Sequence, residues 1–445
     1  MKKYIKNYDE LATTENRKLT LEIAEAGLSA INTERVILDS VKLENNILSI
    51  MGESFDLSKF KKIKVVGFGK ASCDAAVALE KVLGNKIQEG VVIGLQKKTC
   101  DFIETFVGTH PSPSDANIEP GKKIYEIADK SNEDDLIIAL VSGGGSALLC
   151  YPESECTQGL ALYNVFLKCG KSITELNIVR KHISELKGGG LAKVTYPATV
   201  IGFIFSDVPG DHYEDVASGP TYKDNSTIHD AEMIIKEHNL GKFDLVETPK
   251  DDKYFEKVHN FVLVSNETAV QAMAQKSKEL GLDAKIISTE LYGQVDEALK
   301  MIFDAGKFGK RFLLEEEQSD GKGETLRRTF GSVILAAGEP ELEVTKKGGS
   351  GGRNLFMALR AVKEKIVDGD SVFIPIASDG MDNSDAAGAI VDKKTYENIE
   401  KTGISIDTSL ENFDAYTIFQ KSGDMILTGA TGANVSDLFI LLTKK

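Results

Sequence analysis

The chain has 445 residues, about three times a typical domain of ~150 residues, so it is expected to bury two sizeable cores. Lys plus Arg total 53 and Asp plus Glu total 68, and the resulting formal charge of −15 argues against general binding to nucleic acids. No apolar stretch approaches the ~20 residues that cross a bilayer, and the polar N-terminus MKKYIKNYDE is unlike a signal peptide. The sequence predicts a soluble cytoplasmic protein that binds no membrane.

The cysteines and histidines show no metal-binding pattern. The five cysteines include no CxxC pair, and the six histidines form no HxxxH or HExxH motif. The sequence therefore argues against a zinc site and favours reduced, mostly packed thiols. The cysteines are Cys73, Cys100, Cys150, Cys156 and Cys169.

The first half of the chain alternates between helical and strand patterns. Residues 10–50 have the charged, amphipathic character of helices that cover a sheet. Continuous apolar strands then alternate with helical segments, which is typical of a parallel sheet covered on both faces. Residues 1–250 are therefore predicted to form a Rossmann-like α/β domain. Its strands are predicted at 63–68, 91–94, 136–141 and 199–205.

A polar, aperiodic stretch at 244–257 is the predicted linker to a second α/β domain at 251–445. Residues 315–328 contain a single large apolar side chain and are expected to form an exposed loop or a polar hairpin. Because no repeat of constant period relates the two halves, the fold class is two dissimilar α/β domains. Strands of the second are predicted at 261–265, 285–288, 332–337, 372–377 and 438–442.

Glycine clusters lie where predicted strands end, which is where open α/β sheets bind ligands. GFGKAS (67–72) ends one strand and opens a helix, so Lys70 and the helix N-terminus are suited to a phosphate. The alternative is a tight turn with a solvated lysine. The motif is neither a complete GxGxxG dinucleotide fingerprint nor a Walker A loop.

A second glycine motif, SGGGSA, follows the most apolar strand directly. Three consecutive glycines cost backbone entropy, and a backbone nest around an anionic oxygen explains them better than a flexible connection. The motif lacks the last glycine of a serine-hydrolase GxSxG elbow. The candidate binding residues here are Ser142, Gly143, Gly144, Gly145 and Ser146.

The segment 176–192 concentrates cations in an acidic protein. Helical spacing would place Asn177, Arg180, Ser184 and Lys187 on one face. The two interpretations are an anion-binding face and an ordinary solvated basic face. The glycine loop that follows favours the anion site.

Two acidic motifs also follow predicted strands. SDVPGD places Asp207 directly after a predicted strand, and Asp211 follows four residues later. SDGMDNSD places Asp379 directly after another predicted strand. Their oxygens suit Mg²⁺, whereas the alternative is capping of turns and helices. Glycine nests, cations and two acidic strand ends together indicate a phosphoryl-transfer site.

The ordered set GFGKAS, THPSPSD, LVSGGGSALL, LNIVRKHISELKGGGLA, SDVPGDHYEDVASGPT, GGRN, SDGMDNSDAAGAIVD and TGATGANVSDL resembles the glycerate 2-kinase family with a C-terminal MOFRL domain. The resemblance implies two unlike α/β domains with the active site in the interdomain cleft. It also implies ATP-dependent phosphorylation of glycerate at its 2-hydroxyl, giving 2-phosphoglycerate and ADP. Family expectation makes Lys70 and Arg353 the key cations. Asn434, in the TGATGANVSDL motif, is a further candidate for substrate or phosphate binding.

The mechanism that follows has the substrate carboxylate in the SGGGS nest beside Arg180 or Arg353. Asp207 or Asp379 orients or deprotonates the attacking hydroxyl, while Mg²⁺ and Lys70 neutralise charge on the transferred phosphoryl group. Asp207, Asp211 and Asp379 are the candidate metal ligands, and a homodimer is one candidate assembly.

This sequence also departs from the family pattern. Gly190 replaces an arginine and Phe356 stands where an acid is usual, so another small 2-hydroxy acid is an alternative substrate. Two other functions are alternatives to a kinase. The protein could be an NAD(P)-dependent hydroxypyruvate reductase or a non-catalytic homologue that binds a ligand.

Overall fold

The chain divides into two units, each built around its own six-stranded sheet. The middle unit comprises residues 33–264, and the terminal unit combines residues 1–32 with 265–445. The computed structural model describes residues 3–169, 173–208, 210, 212–315, 331–346, 348–367 and 369–444. Among them, no helix has the length and apolar composition needed to cross a membrane.

These bounds differ from the predicted boundary between residues 250 and 251 in two ways. The predicted strand at 261–265 pairs with the sheet of the middle unit, in parallel register with residues 199–205. The N-terminal helices pack on the C-terminal sheet instead of on the sheet that follows them in sequence. Both differences come from long-range pairing, which the local periodicity of a segment does not specify.

The N-terminal segment forms helices α1 (Tyr8–Leu11) and α2 (Glu15–Ala30). The Thr14 side chain caps α2 by accepting a hydrogen bond from the Arg17 backbone N–H. The Arg17 guanidinium is buried and donates to Asp392 and Asp424, at 2.7 and 2.8 Å. This buried ion cluster ties the N-terminus to the C-terminal part of the same unit.

The sheet of the middle unit is parallel throughout, as predicted for its apolar strands. After α3 (Thr33–Ser40), strands β1 (Val41–Glu44), β2 (Ile47–Ile50) and β3 (Glu53–Asp56) form a small antiparallel sheet. The large sheet consists of β4 (Lys62–Phe68), β5 (Ile87–Gly94), β6 (Glu104–Val107), β7 (Asp135–Ser142), β8 (Thr199–Phe205) and β9 (Val258–Val264). The helices are α4 (Ser72–Leu83), α5 (Ile118–Asp129), α6 (Gly145–Leu148), α7 (Glu153–Cys169), α8 (Ile173–His182), α9 (Gly190–Thr195) and α10 (Ile228–Glu237).

The strand order of this sheet is β6-β5-β4-β7-β8-β9, which is the Rossmann arrangement. The chain runs outward from β4 in one direction and from β7 in the other, so the order reverses between these two neighbours. Ligands bind at such a reversal, beyond the carboxyl ends of the strands. The fold therefore singles out the loops after β4 and β7, which carry GFGKAS and SGGGSA.

The terminal unit has a different topology, which confirms that the two α/β domains are dissimilar. Its strands are β10 (Asp283–Leu291), β11 (Ser332–Gly338), β12 (Val372–Ala377), β13 (Gly388–Ala389), β14 (Met425–Ile426) and β15 (Asp437–Thr443). Their order in the sheet is β10-β11-β15-β12-β13-β14, with β10 and β11 parallel and the other neighbouring strands antiparallel. The helices are α11 (Asn266–Glu279), α12 (Val295–Glu315), α13 (Arg353–Lys363), α14 (Lys393–Thr402), α15 (Ile406–Glu411) and α16 (Ala415–Ser422). Apart from Glu315, the loop or hairpin predicted at 315–328 lies outside the described residues.

Candidate active site

The loops after β4 and β7 form one structure. The backbone N–H of Lys70 donates to the Gly143 carbonyl at 2.8 Å. Gly69 has φ +126°, and a Cβ there would overlap the Ser142 hydroxyl and carbonyl, so the close approach of the loops requires glycine. The two motifs that the sequence identified separately are therefore parts of a single site.

The Ser142 hydroxyl holds these two loops together. It accepts from the Ala71 backbone N–H at 3.1 Å and lies 3.1 Å from the Ser72 hydroxyl, which donates to the Leu140 carbonyl. Ser142 is buried. Its contacts support the loop structure, whereas the sequence placed this hydroxyl beside a ligand.

The glycines lead directly into α6. Gly144 is left-handed with φ +79°, and α6 begins at Gly145. The N–H groups of Ala147 and Leu148 donate to the Gly144 carbonyl, so those of Gly145 and Ser146 precede the first hydrogen bonds of the helix. The hydroxyls of Ser146 and Ser218 share a hydrogen bond of 2.8 Å, and Ser218 donates to the Asn177 side-chain oxygen at 3.3 Å. Asn177, Ser146 and the glycine nest are therefore brought together, as the anion-site interpretation requires.

His110 lies over the nest, although the sequence analysis did not select it. A Cβ on Gly144 would be 3.0 Å from His110 Cδ2 and 3.1 Å from Lys70 Cγ. Burial lowers the pKa of His110 to about 4, and the charges of Lys70 and Arg180 act in the same direction. His110 is thus a neutral imidazole at pH 7. Its position in THPSPSD, shortly after β6, was the signal that could have identified it.

We expect His110 to make the stability of the protein depend on pH. Its pKa of about 4 in the folded state lies below the ~6.5 of an unfolded histidine, so stability is retained above pH ~6.5 and is lost as the pH falls. The free energy of unfolding should therefore drop by about 1 kcal/mol more between pH ~7.5 and ~5.5 in the wild type than in His110→Gln. Denaturant titrations at the two pH values measure this difference.

The matched control is His212→Gln, which removes an exposed histidine from the same unit. That variant should lose as much stability on acidification as the wild type does. An equal loss in His110→Gln as well would mean that His110 is not held neutral in the folded state.

Asp207 follows β8 and lies against the nest. A Cβ on Gly143 would overlap the Asp207 carboxylate, so glycine is needed at position 143 for this carboxylate to reach the strand ends. Burial raises the pKa of Asp207, and the positive charge of Lys70 opposes that shift. The site therefore combines a carboxylate and a cation beside backbone N–H groups.

Gly143→Ala should displace the Asp207 carboxylate, because the added methyl group occupies its position. If Asp207 orients the attacking hydroxyl, misplacing it should lower kcat on the order of tenfold with a small change in melting temperature. Steady-state kinetics and thermal unfolding of the same preparation test this. An unchanged kcat would show that Asp207 takes no part in the reaction.

Within the part of the chain that the structure describes, Arg180 is a cation without an ion-pair partner. Burial lowers the pKa of its guanidinium to about 10, while the charge of Glu155 opposes the shift, so the group stays protonated at pH 7. Among the described residues, no carboxylate lies within ion-pair distance of it. It lines a small cavity with Ser146, Cys150 and Lys187, and its role in anion binding stays a prediction.

Lys187 is placed differently from the prediction. Helix α8 ends at His182, so Ser184 and Lys187 do not continue the helical face of Asn177 and Arg180. The Lys187 ammonium group is buried, donates to the Leu149 carbonyl at 2.7 Å and pairs with Glu155. Its charge is compensated within the protein, which argues for a structural role.

In the terminal unit, Arg353 is the first residue of α13 and its guanidinium contacts two carboxylates. Nε pairs with Asp437, and Nη2 lies 3.3 Å from Glu339. These negative charges raise the pKa of Arg353, although its burial acts in the opposite direction. The sequence analysis assigned the Arg353 guanidinium to a bound ligand. In the structure, two protein carboxylates orient it.

Asp382 holds the loop that carries Arg353. Its carboxylate accepts from the backbone N–H groups of Gly352, Asn354 and Leu355, at 3.1, 3.2 and 2.7 Å. Burial raises the pKa of Asp382 to about 6, and the same is true of Asp437. Asp382 therefore caps the start of α13, a contact with a segment about 30 residues earlier in the chain.

Asp379 and Asn434 lie in adjoining loops of the terminal unit. The Asp379 carboxylate accepts from the Met381 N–H at 3.0 Å, which is the turn-capping contact that the sequence left as an alternative. Its carbonyl accepts from the Thr431 N–H at 3.2 Å, and the Ser378 hydroxyl accepts from the Val435 N–H at 2.9 Å. These bonds place Asn434 in a loop anchored beside the end of β12.

The acidic residues that the structure describes do not form a complete metal cage. Over the described ranges, no group of three or more His, Cys, Asp or Glu side chains is spaced to hold an ion. Mg²⁺ needs only one or two protein carboxylates together with phosphate oxygens and water, and Asp207 offers such a donor beside the nest. The predicted ligand Asp211 lies outside the described residues.

Comparisons with known proteins agree with the resemblance seen in the motifs. Residues 19–248 match a family described as a domain of unknown function (DUF4147), and residues 332–437 match the MOFRL family. Glycerate 2-kinase of Pyrococcus horikoshii is 33% identical, with 96% of this chain and 97% of the relative covered. A putative hydroxypyruvate reductase of Agrobacterium vitis is also 33% identical, with 85% and 86% covered.

A solved structure extends this likeness to the fold. The crystal structure of glycerate kinase from Thermotoga maritima has a TM-score of 0.80 and 30% identity, and the match covers 96% of this chain and 98% of that one. Both the sequence and the fold therefore match over nearly the full length. The chain belongs to the glycerate kinase family that carries a MOFRL domain.

Proposed function

We propose that this protein phosphorylates the 2-hydroxyl of glycerate with ATP and releases 2-phosphoglycerate and ADP. The proposal depends on one observation: Lys70, Asp207 and the SGGGS nest lie together at the carboxyl ends of the strands of the middle unit, where the strand order reverses. A cation, a carboxylate and oriented backbone N–H groups are what phosphoryl transfer to a hydroxyl requires. Relatives named glycerate 2-kinase support the choice of substrate.

In this mechanism the nest and Arg180 bind anionic oxygens of the substrates. Asp207 accepts a hydrogen bond from the attacking hydroxyl, and its raised pKa brings its basicity closer to that needed to take up the proton. Lys70 neutralises charge on the transferred phosphoryl oxygens. We assign Arg353 a catalytic role from the resemblance, with Asp437 and Glu339 orienting its guanidinium.

Mg²⁺ would be held by Asp207 together with phosphate oxygens, and it would supply charge neutralisation when bound. Asp379, the other described carboxylate predicted as a metal ligand, lies in the terminal unit and accepts from the Met381 N–H. The proposed substrate range includes other 2-hydroxy acids of about three or four carbons, because Gly190 stands where the family pattern has an arginine.

One relative favours a second candidate function. The Agrobacterium vitis protein is named a putative hydroxypyruvate reductase, and this activity would act on a related carbon skeleton. The loop after β4 has Ser72 where a dinucleotide fingerprint has its third glycine, and this departure argues against NAD(P).

The deciding experiment measures ADP release with D-glycerate, L-glycerate and related hydroxy acids, with Mg²⁺ and with excess chelator. Mass spectrometry or phosphorus NMR of the product identifies which hydroxyl is phosphorylated. We expect 2-phosphoglycerate only when metal is present. Oxidation of NADH or NADPH by hydroxypyruvate, without ADP release from any acid, would establish the reductase instead.

A further inference from the structure

His110 lies at the edge of the nest, and the proposed mechanism gives it no role. It is in the loop after β6, and a Cβ placed on Gly144 would be 3.0 Å from His110 Cδ2 and 3.2 Å from its Nε2. The edge of the imidazole that carries Nε2 therefore faces the left-handed glycine of the nest. Lys70 approaches the same glycine, because that Cβ would be 3.1 Å from Lys70 Cγ.

Asn117 fixes the His110 loop to the nest. Its side-chain oxygen accepts from the Thr109 backbone N–H at 2.9 Å, and its amide nitrogen donates to the carbonyls of Thr109 and Ala147, at 3.1 and 2.8 Å. Thr109 precedes His110 and Ala147 is in α6, so one fully buried side chain joins the two segments. His110 is therefore held over the nest by bonds that do not involve its own ring.

The imidazole itself is left available for a ligand. In the described part of the chain, neither ring nitrogen of this half-buried histidine forms a hydrogen bond or an ion pair. The charges that act on it come from two cations, Lys70 and Arg180, and together with burial they keep the imidazole neutral at pH 7. A neutral imidazole has one N–H donor, and beside two cations the matching acceptor is an anionic oxygen.

We propose that His110 is a further substrate-binding residue of this site, and that its Nε2–H group donates a hydrogen bond to an anionic oxygen bound in the nest. The inference rests on the proposed function for the identity of the substrate. The arrangement of His110, Lys70 and Gly144 around one space does not depend on which acid binds there.

A neutral donor adds direction where the two cations add charge. Because Lys70 and Arg180 already supply positive charge near the nest, both would repel a protonated imidazole. A neutral N–H group orients the bound oxygen without adding to this repulsion. The backbone N–H groups of the nest can donate to the same anion from the other side.

The oxygen belongs either to the carboxylate of glycerate or to the transferred phosphoryl group, and kinetics distinguish the two sources. A contact with the carboxylate is made equally in the ground state and the transition state, so its loss raises KM for glycerate. A contact with the phosphoryl group strengthens as charge develops there, so its loss lowers kcat.

The kinetic test compares His110→Phe, which keeps a planar ring without a donor, with His110→Gln, whose amide nitrogen can take the place of Nε2. We expect His110→Phe to lower kcat/KM roughly 10- to 100-fold, as for a lost hydrogen bond to a charged group, and His110→Gln to stay within about fivefold of the wild type. Thermal unfolding checks that both variants fold. The matched control is His229→Phe, which changes an exposed histidine of α10 in the same unit and should keep wild-type kinetics.

A second test measures binding without catalysis, in wild-type protein labelled with ¹⁵N at its histidines. The imidazole signals of His110 are those missing from the spectrum of His110→Gln. Titration with D-glycerate, and separately with inorganic phosphate, should shift these signals with at least one of the two anions. The signals of His229 should stay unchanged.

The inference is overturned if folded His110→Phe keeps kcat/KM within about twofold of the wild type, or if His110→Gln loses as much activity as His110→Phe. It is also overturned if neither anion shifts the His110 signals, and this readout decides if His110→Phe does not fold. Failure of the proposed function would appear separately, as absent ADP release by the wild type, while the phosphate titration still reports on His110.

Discussion

Replacing Lys70 with alanine should lower kcat by roughly 10²-fold or more while leaving the protein folded. Lys70 lies at the reversal of strand order, close enough to His110 and Asp207 for its charge to shift both of their pKa values. A preorganised charge that acts on developing phosphoryl charge contributes several kcal/mol to the transition state, and 10²-fold corresponds to ~2.7 kcal/mol. The measurement is steady-state kinetics with ATP and glycerate, with thermal unfolding as the test of folding.

The matched control is Lys122→Ala, which removes an exposed lysine from α5 of the same unit. Both variants change the net charge equally, so a general electrostatic effect would appear in both. The specific role predicts that only Lys70→Ala loses activity. Near-normal turnover of Lys70→Ala would mean that GFGKAS serves only as a tight turn.

The second large effect is expected from Arg353→Lys, which keeps the charge but removes the planar fork. The guanidinium contacts Asp437 through Nε and Glu339 through Nη2, and a single ammonium group cannot reproduce this geometry. We expect a loss of about 1.5 to 3 kcal/mol of transition-state binding, or roughly 10- to 150-fold in kcat/KM. Kinetics of Arg353→Lys and Arg353→Ala at two ionic strengths provide the measurement.

The contacts of Arg353 with buried Asp437 require a separate check on stability. Removing the arginine leaves that carboxylate without its cation, so Arg353→Ala should unfold at a lower temperature than Arg353→Lys. The double variant Arg353→Ala/Asp437→Asn removes both charges and should recover part of that stability without recovering activity. If Arg353→Lys stays within about threefold of the wild type at both salt concentrations, Arg353 acts only as a general positive charge.

The parts of the fold that depend on local patterns were predictable from the sequence. The apolar run at 136–141 became β7, all of whose residues are buried, because only a strand covered on both faces is apolar throughout. The GFGKAS and SGGGSA motifs were placed at strand ends, and the Rossmann order makes those ends neighbours. Lys70 and the nest were thus identified before their contact was known.

Contacts between residues far apart in the chain could not be predicted from local sequence patterns. Burial lowers the pKa of His110, and the charges of Lys70 and Arg180, which lie 40 and 70 positions away, act in the same direction. Lys187 is neutralised by Glu155, which is 32 positions away. The helical periodicity that placed Lys187 beside Arg180 ends at His182, where the helix itself ends.

The sequence by itself determined the fold class, the family and the glycine-rich strand ends, because periodicity, backbone freedom and motif order are local properties of the chain. The tertiary structure decided which charges remain available for a ligand. Arg180 and Lys187 are both cations of one basic segment, yet Lys187 has a buried carboxylate partner and Arg180 faces a cavity. Burial and pairing depend on segments that meet only after folding, and they determine whether a cation stabilises the protein or binds an anion.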